Sequence, residues 1–386
     1  MSKNYQVCTE CLMDTTDRSI KFDEKGVCNY CNAFKQHPEW YGKIPGALDV
    51  WKTVVEPEIL ASKKGKYDAI IGISGGIDSS YLAYLMKKQT KLTPLLVHAK
   101  NDVWDTEISK RNLKRVLDYT GFDIEYPSVD MEEYVALQRA YFYASVMDTD
   151  VPADYLIEAF IRLAAIKHGV SYVLSGGNYF ADAFMPSSWT YPNKLDRVNM
   201  MNIYRRHGDG TPLKSFPVFG VSQVMTMKYL HNVSYKTPLN YFGYNRFEAI
   251  KELEREIGFE MYGDKHGENI FTRFYQNYVL PTKFGIDKRK ANYSNYIRSG
   301  GITREQGLEM LSKPQYDPEQ LADDKRVVLR TLGFSNAEFE IIMETPPVSH
   351  EVFGSDVKVY RLEEKLRQTA KRIRDYGRAA VKCLSG

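Results

Sequence analysis

The stretch that decides the fold spans residues 67–86 and reads YDAIIGISGGIDSSYLAYLM. Residues 68–73 form a short apolar run rich in isoleucine and are followed by a pair of glycines, which is typical of a buried parallel strand. Beyond the glycines, Leu82, Leu85 and Met86 recur at helical spacing. The stretch therefore predicts a strand, a tight turn and a helix, in that order.

The turn between this strand and helix is suited to binding an anion. Backbone N–H groups at the start of a helix lack intrahelical partners, and the helix dipole adds positive potential there. Glycine lets a ligand approach the backbone closely, serine hydroxyls add donors, and a carboxylate suits an Mg²⁺ ion that bridges phosphate oxygens. The candidate nucleotide-binding residues are Ser74, Gly75, Gly76, Asp78, Ser79 and Ser80, with Asp78 also as the Mg²⁺ ligand.

The motif in this turn is not one of the two common phosphate motifs. The Walker pattern with its Gly-Lys-Ser/Thr and the Gly-x-Gly-x-x-Gly pattern are both missing. The run from Ser74 to Ser79, SGGIDS, instead resembles the PP-loop of ATP pyrophosphatases, the enzymes that split ATP between its α and β phosphates. The alternative interpretation is an ordinary glycine turn between a strand and a helix.

Four of the five cysteines are spaced like zinc ligands. Cys8 and Cys11 form one Cys-x-x-Cys pair, and Cys28 and Cys31 form a second pair after a spacer of 16 residues. Residues 20–27 are predicted to form a hairpin that brings the second pair back to the first. Disulfides are the alternative. Four protein ligands leave no open position, so we predict a structural zinc ribbon over residues 1–45.

The composition limits the classes of protein that need to be considered. At 386 residues the chain is long enough for about two or three structural units. Its 52 basic and 49 acidic residues nearly cancel, which disfavours a nucleic-acid-binding surface. No apolar run is long enough to span a membrane, and the N-terminus lacks the apolar core of a signal peptide. We expect a cytoplasmic protein that binds neither nucleic acid nor membrane.

Residues 46–240 are predicted to form an α/β domain with a doubly wound parallel sheet. Strand and helix patterns alternate, with strands at 94–99, 122–126 and 171–175 and helices at 48–64, 106–120 and 152–168. Ligands of such sheets bind beyond the carboxyl ends of the strands. Besides the first turn, this rule selects His98 and a second glycine loop with Gly176, Gly177 and Asn178, although a plain turn is the alternative for that loop.

Residues 241–386 are predicted to form a helical region that completes the active site. Helix starts at Asn245 and Thr303 are explained by capping patterns and need no functional explanation, and a further helix is predicted at 356–383. Basic residues in the aromatic segment 265–290 would be costly to bury without anions. A solvated basic face is the alternative. The basic residues of this segment are Lys265, Arg273, Lys283, Lys288, Arg289 and Lys290.

Three features occur together in this chain: the four-cysteine ribbon, the loop at 74–80, and residues 271–278 (FTRFYQNY) followed by residues 283–291 (KFGIDKRKA). This combination resembles the N-acetyl sugar amidotransferase family, within the PP-loop ATP pyrophosphatase superfamily. Members of the family serve bacterial surface-sugar biosynthesis, which includes lipopolysaccharide and O-antigen. The resemblance covers the chain from Cys8 to about Met310.

The resemblance implies an enzyme that uses ATP and ammonia to convert an acetamido group of a nucleotide-activated sugar to an acetamidino group. The amide oxygen would attack the α-phosphate, pyrophosphate would leave, and ammonia would displace AMP from the adenylated imidate. Asp78, Lys265, Arg273 and Lys288 are the implied catalytic residues, and the resemblance adds Lys283, Asp287, Arg289 and Lys290 to the ATP-binding set. Candidate sugar-pocket residues are Asp148, Asp150, Asp154, Trp189 and Tyr191.

The positions of the cysteines bear on the ammonia source and on the first of two rival functions. No cysteine occurs between residues 32 and 382, so a nucleophilic glutaminase cysteine is missing and a separate glutaminase subunit is the expected partner. The same gap disfavours the main rival, a PP-loop enzyme that thiolates tRNA. The second rival is a non-catalytic docking module that binds nucleotide. The identity of the sugar and of its UDP or CMP carrier stays open.

Overall fold

The computed structural model of the chain describes residues 5–37, 45–100, 103–263 and 265–359, together with Leu362, Lys365 and Thr369. Its first unit is the cysteine-containing segment. Isolated antiparallel bridges pair Val7 with Asp14 and Phe22 with Cys28, so the predicted hairpin is present in a minimal form. Helix α1 (Asn29–Gln36) follows. A continuous helical stretch then consists of α2 (Ala47–Val50), a π-helical turn (Trp51–Val55) and α3 (Glu56–Ala61).

The central element is a parallel sheet of five strands in the order β3-β2-β1-β4-β5. The strands are β1 (Ile70–Gly72), β2 (Leu95–Val97), β3 (Ile124–Glu125), β4 (Tyr172–Leu174) and β5 (Ser234–Lys236). The helices of this region are α4 (Ile77–Gln89), α5 (Glu107–Thr120), α6 (Met131–Tyr143), α7 (Val151–His168), α8 (Tyr179–Asp182), α9 (Arg197–His207) and α10 (Val221–Tyr229). The predicted fold class is therefore confirmed.

The sheet has an apolar layer on each face, as expected for parallel strands. Successive side chains of β1 point to opposite faces. Ile70 belongs to the core cluster that contains residues of α6 and α7, whereas Ile71 belongs to the cluster that contains residues of α4 and α5. Ile70 pairs in register with Leu95 and with Val173. The first strand thus lies at the centre of both core layers.

Strand β5 was not predicted. Its sequence is Ser-Tyr-Lys, its first two side chains are exposed, and it pairs only with β4, at the edge of the described sheet. A short polar edge strand lacks the apolar run that reveals a buried parallel strand. The pairing of Val173 with Tyr235 is a tertiary contact that the local sequence does not report.

The C-terminal region is helical, as predicted. It contains α11 (Arg246–Ile257), α12 (Ile270–Phe274), a π-helical turn (Tyr275–Val279), α13 (Leu280–Phe284), α14 (Lys288–Arg298), α15 (Arg304–Ser312), α16 (Pro318–Leu332) and α17 (Asn336–Glu344). Asn245 and Thr303 cap α11 and α15 with their side chains. Of the helix predicted at 356–383, the described part is helical from 357 to 359, and Cys383 lies outside the described residues. Among the described helices, none is both long enough and apolar enough to cross a bilayer.

Candidate nucleotide-binding and active site

The glycine turn after β1 requires glycine at position 75, and at position 76 a side chain would displace the end of the Glu268 side chain. Gly75 has a φ of 77°, and a Cβ atom there would lie 2.3 Å from the carbonyl oxygen of Ser109. A Cβ atom on Gly76 would lie 2.4 Å from Oε1 of Glu268. Such distances are collisions, and the positive φ is itself unfavourable for other residues. The two glycines thus let α5 and the C-terminal region close onto the turn.

Hydroxyl groups and backbone amides converge inside this turn. The Ser74 amide lies 3.2 Å from Oγ of Ser79, and the Gly76 amide donates to Oγ of Ser74 at 3.2 Å. The amide of Ile77, the first residue of α4, donates to the hydroxyl of Tyr262 at 2.8 Å. Ser80 is fully buried within the first turn of α4. The three amides hydrogen-bond to serine hydroxyls or to Tyr262 in this structure, and they lie at a helix N-terminus, where a phosphate group could replace these acceptors.

The second glycine loop lies against the first. A Cβ atom on Gly176 would come within 3.2 Å of the carbonyl carbon of Asp78 and of the amide nitrogen of Ser79. The amide of Gly177 donates to Ser175 Oγ at 3.1 Å. Asn178 uses its side-chain oxygen to cap α8 through the amide of Ala181. The structure therefore brings Gly176 to the turn, whereas Asn178 has a structural role in holding the loop.

His98 is fixed at the carboxyl end of β2. Its Nδ1 lies 2.8 Å from the carbonyl oxygen of Ile73, and its Nε2 lies 3.0 Å from Oδ2 of Asp105. The ring therefore joins the end of β1 to the segment before α5. It also lines a cavity of about 470 Å³ together with Lys100, Asp105, Lys110, Leu113, Lys114, Leu117 and Tyr126.

Asp78 is held by two residues that the sequence reasoning missed. Its Oδ1 accepts a hydrogen bond from the hydroxyl of Tyr244 and lies 3.8 Å from Nη1 of Arg246. Arg246 is only 4 % exposed. The capping pattern at Asn245 predicted a helix start here but not the buried charge on the first residue of α11. Packing of α11 against α4 brings residues 78 and 246 together.

Three charged residues before α12 approach the turn. Lys265 is buried and pairs with Asp182, and the nearby carboxylates of Asp182 and Asp78 hold its pKa above the usual value despite burial. His266 has a left-handed φ of 66°, and burial together with the charge of Lys265 lowers its pKa to about 3. Burial raises the pKa of Glu268, whose Oε2 is buried without a hydrogen-bond partner in the described structure. Lys265 was predicted, whereas Glu268 was missed.

Four of the candidate sugar-pocket residues lie together in an acidic cluster, in which Asp148 and Asp150 are buried and Asp154 is partly exposed. Asp148 is fully buried and accepts hydrogen bonds from Lys194 Nζ at 2.6 Å and from the amide of Tyr191 at 2.7 Å. Lys194 also pairs with Asp154 at 3.0 Å. Asp150 accepts from the hydroxyl of Thr272 at 3.3 Å. Trp189 is 1 % exposed and is part of the hydrophobic core.

Lys288 connects this cluster to the residues beside the turn. It is the first residue of α14; burial lowers its pKa, while the charge of Asp148 acts in the opposite direction. Its own charge helps to lower the pKa of His266. A cavity of about 180 Å³ is lined by Arg246, Lys265 and Lys288. Charged side chains therefore extend from Asp78, through Arg246 and Lys288, to the acidic cluster.

The remaining predicted basic residues have structural partners. Among them, Arg289 also lines the cavity of about 180 Å³. The contacts of Arg273, Lys283 and Lys290 do not join them to the turn, and the ATP-binding or catalytic roles of all four stay predictions. Asp287 likewise caps α14 through the amide of Arg289. The contacts are Arg273 with Asp324 at 2.7 Å and with the carbonyl of Gly267, Lys283 with the carbonyl of Ile342, Arg289 with Asp287 at 2.9 Å and with the carbonyl of Lys313, and Lys290 with Asp14.

The four ribbon cysteines form a cluster that fits a zinc ion. Their Sγ atoms all lie within 4.8 Å of one another, and all four residues are buried. The Sγ atoms of Cys8 and Cys31 are 3.9 Å apart, and those of Cys11 and Cys28 are 3.7 Å apart. A tetrahedral zinc site with Zn–S bonds of about 2.3 Å has S–S edges of about 3.8 Å. The donor set and spacing therefore match structural zinc.

The ribbon packs against the helix that begins with Lys288. At the other end of α14, Nη1 of Arg298 lies 3.7 Å from Sγ of Cys11 and 3.8 Å from Sγ of Cys31. The amide of Leu12 donates to Oγ of Ser294 at 3.0 Å. One helix therefore links the cysteine cluster to the candidate active site.

Comparison with known proteins adds three similarities. The profile of a family described as LPS biosynthesis protein WbpG-like, C-terminal domain, matches residues 268–367. A tRNA-specific 2-thiouridylase, MnmA 1 of Clostridium tetani (strain Massachusetts / E88), is 24% identical over 342 residues, which cover 80% of this chain and 85% of that protein. NMN synthetase from Francisella tularensis is similar over 60% of this chain and 89% of its own, with 15% identity and a TM-score of 0.28. That TM-score is too low to support any argument.

The profile match includes most of the segment on which the family resemblance rests, and the thiouridylase similarity extends over most of the chain. The parallel sheet, the turn at 74–80 and the cysteine cluster provide the other expected features. These findings support the resemblance: residues 268–367 match the WbpG-like C-terminal domain, most of the chain is similar to a thiouridylase of the PP-loop superfamily, and the chain fits the N-acetyl sugar amidotransferase family.

Proposed function

We propose that this protein is an ATP-dependent amidotransferase that acts on a nucleotide-activated sugar in bacterial surface-glycan biosynthesis. It converts an acetamido group to an acetamidino group and releases AMP and pyrophosphate. The PP-loop supports the use of ATP, and the WbpG-like domain supports a role in lipopolysaccharide biosynthesis.

The observation that carries the proposal is the convergence of four cationic side chains on one cavity next to Asp78. Arg246, Lys265, Lys288 and Arg289 line this cavity. Burial of a cation is costly unless anions compensate it. A reaction between a nucleotide-activated sugar and ATP brings many phosphate charges together, and such a cavity stabilises them and the departing pyrophosphate.

The residues of the turn and those of the cavity have separate roles in the first half of the reaction. The amide oxygen of the sugar attacks the α-phosphate, and the bond to pyrophosphate breaks. Amides and hydroxyls from Ser74 to Ser79 hold the leaving phosphates, and Lys265 lies close enough to add positive charge. Asp78 has the carboxylate that Mg²⁺ prefers, and a bound Mg²⁺ would neutralise phosphate charge there. The hydrogen bond from Tyr244 orients this carboxylate.

The second half of the reaction needs ammonia. Ammonia attacks the imidate carbon and AMP leaves, so the oxygen of the original amide departs with AMP. The chain has no cysteine between residues 32 and 382, and a glutaminase needs such a nucleophile. We therefore propose a partner glutaminase subunit as the physiological source of ammonia.

A PP-loop enzyme that modifies tRNA is the second candidate, because the curated relative is a tRNA-specific 2-thiouridylase. The lack of cysteines outside the ribbon and the C-terminus argues against thiolation chemistry, which relies on catalytic thiols in the ATP domain. The near balance of 52 basic and 49 acidic residues gives no support to an RNA surface.

One assay distinguishes these candidates. The purified protein is incubated with Mg-ATP, ammonium at mildly alkaline pH and a panel of nucleotide-activated acetamido sugars, while AMP, pyrophosphate and sugar mass are followed. We expect AMP and pyrophosphate together with a sugar in which NH has replaced the amide oxygen. Asp78→Asn should lose this activity, whereas Asp118→Asn, at an exposed position of α5, should retain it. AMP release with undermodified tRNA and with no sugar would overturn the proposal.

A further inference from the structure

We propose that the cluster of Asp148, Asp150 and Asp154, of which the first two are buried and the third is partly exposed, binds ammonium, and that Asp150 accepts the proton that converts ammonium to ammonia. This inference rests on the proposed amidotransferase function and adds the binding site of its nitrogen donor.

The cluster has more negative than positive charge. Lys194 pairs with two of the three carboxylates, with N–O distances of 2.6 Å to Asp148 and 3.0 Å to Asp154. Within the described part of the chain, no ion pair is recorded for Asp150, which is 7 % exposed. Lys288 is the second nearby cation, so three carboxylates lie near two ammonium groups, and no ion pair joins Lys288 to Asp150 among the described residues. A buried carboxylate without a paired cation favours the binding of a small cation.

Three buried oxygen atoms at this position lack hydrogen-bond partners in the described structure. They are Oδ1 of Asp148, Oγ1 of Thr149 and Oε1 of Gln138. The first two lie in the acidic segment, and the side chain of Gln138 lies against its backbone, because its Nε2 donates to the carbonyl of Thr149 at 2.6 Å. These residues are at most 2 % exposed. Buried polar atoms are nearly always satisfied, so the set indicates a ligand that donates hydrogen bonds.

Ammonium matches this set of acceptors. It carries one positive charge and has N–H donors in tetrahedral directions, whereas the phosphates and carboxylates of a nucleotide-activated sugar would be repelled. Potassium has a similar charge and size and is the other ion that such a set of oxygens could hold. The experiment below separates the two ions.

The cluster adjoins the place where ammonia is needed. Lys288 is sensitive to the charges of Asp148 and Asp150, and it lines the cavity next to Arg246 and Lys265. Ammonia formed at the cluster would therefore be released near the cavity at which the reaction is proposed to take place. Asp150 is separate in the chain from the turn residues that are proposed to hold pyrophosphate.

The chemical step is balanced without a further reactant. Ammonium transfers one proton to the Asp150 carboxylate and becomes ammonia. The nitrogen lone pair forms a C–N bond with the imidate carbon, and the C–O bond to AMP breaks. A second proton leaves this nitrogen and is taken up by the other nitrogen of the product, which is therefore an amidinium ion. Burial, with the charges of Asp154 and Asp148, raises the pKa of Asp150 to about 7, which suits a proton acceptor near neutral pH.

The test measures the two half-reactions separately. Exchange of labelled pyrophosphate into ATP, dependent on sugar and without ammonium, reports formation of the adenylated imidate. Amidino-sugar formation is then measured against ammonium concentration. For Asp150→Asn we expect the exchange to persist, while the KM for ammonium rises about tenfold or more. Gln138→Met removes one neutral acceptor and should raise this KM by a smaller factor. Asp323→Asn, at an exposed position of α16, is the matched control and should leave the KM unchanged.

The outcomes separate the inference from the proposed function. Absence of sugar-dependent exchange in the unmodified protein would overturn the proposed function. Exchange together with an unchanged ammonium KM in Asp150→Asn would overturn the ammonium site alone. A potassium titration at constant ionic strength, with sodium as the control, provides the final arm. Competition by potassium against ammonium supports the site, whereas activation by potassium with no change in the ammonium KM would assign the cluster to potassium instead.

Discussion

The two halves of the candidate site are encoded in different ways. The phosphate-binding half is contiguous, and its donors come from Ser74 to Ser79 in a single turn. The cationic half is assembled from Arg246, Lys265 and Lys288, which lie on separate elements of the C-terminal region. A turn fixes its own atoms through local backbone geometry, whereas helices bring distant side chains together only after they pack. The first half can therefore be read from a motif, and the second cannot.

The comparison predicts the largest effect where local geometry is strictest. Gly75→Ala introduces a Cβ 2.3 Å from the Ser109 carbonyl oxygen at a φ of 77°, so we expect ATP-dependent AMP formation to fall by about a hundredfold or more. Gly121→Ala is the matched control, because its φ is 63° but a Cβ atom there would meet nothing within 4 Å. It should lower stability by about 1 kcal/mol and retain activity. Equal losses in both variants would mean that strain, and not collision, explains the effect.

The next effect tests whether the ribbon supports the cationic half. Cys31→Ser removes one of the four thiolates, so the ribbon should lose zinc and its fold. Arg298 of α14 contacts Cys31, and Lys288 begins the same helix. We therefore expect reduced zinc content, a lower Tm and a fall in activity of about tenfold or more. Metal analysis and calorimetry check the first two results. Full activity in the zinc-free protein would show that the ribbon and the cavity are independent.

A pair of neighbouring lysines tests the cationic half itself. Lys288 lines the cavity, whereas Lys290 pairs with Asp14 of the ribbon. Lys288→Met should lower kcat about 10- to 100-fold, because a stabilising charge near the phosphates is lost. Lys290→Met should lower the Tm with a small change in kcat, because it leaves the buried Asp14 without its cation. The reverse pattern would show that the motif, and not the packing, identifies the functional lysine.

The smallest effect concerns stability and its dependence on pH. The pKa of Asp150 is raised to about 7 in the folded protein and is about 3.9 in an unfolded chain. Between about pH 4 and 7 the folded state holds a proton that the unfolded chain has lost, so the cost of Asp150 to stability grows as pH rises through this range and is constant above it. Asp150→Asn should therefore raise the free energy of unfolding by about 2–3 kcal/mol more at pH 8 than at pH 5. Denaturant unfolding at both pH values checks the sign, and a gain confined to pH 5 would contradict it.

Sequence patterns anticipated the elements with strong local signals. The helices at 107–120 and 151–168 end at Gly121 and Gly169, as their stop signals predicted. The edge strand β5 was missed because it is short and polar. Within the basic segment, residue type alone did not separate Lys288 from Arg273, whose partner Asp324 lies 51 residues away.

Sequence patterns predicted the parallel α/β sheet, the glycine turn at 74–80 and the cluster of four cysteines, because each depends on residues that are close together or regularly spaced along the chain. The packing of the folded chain was needed to show that Arg246 and Tyr244 hold Asp78, and that Lys288 lies near three aspartates. Their proximity depends on how α7, α11 and α14 pack around the sheet. Burial then changes their pKa values, and this change depends on neighbours that the order of the residues does not specify.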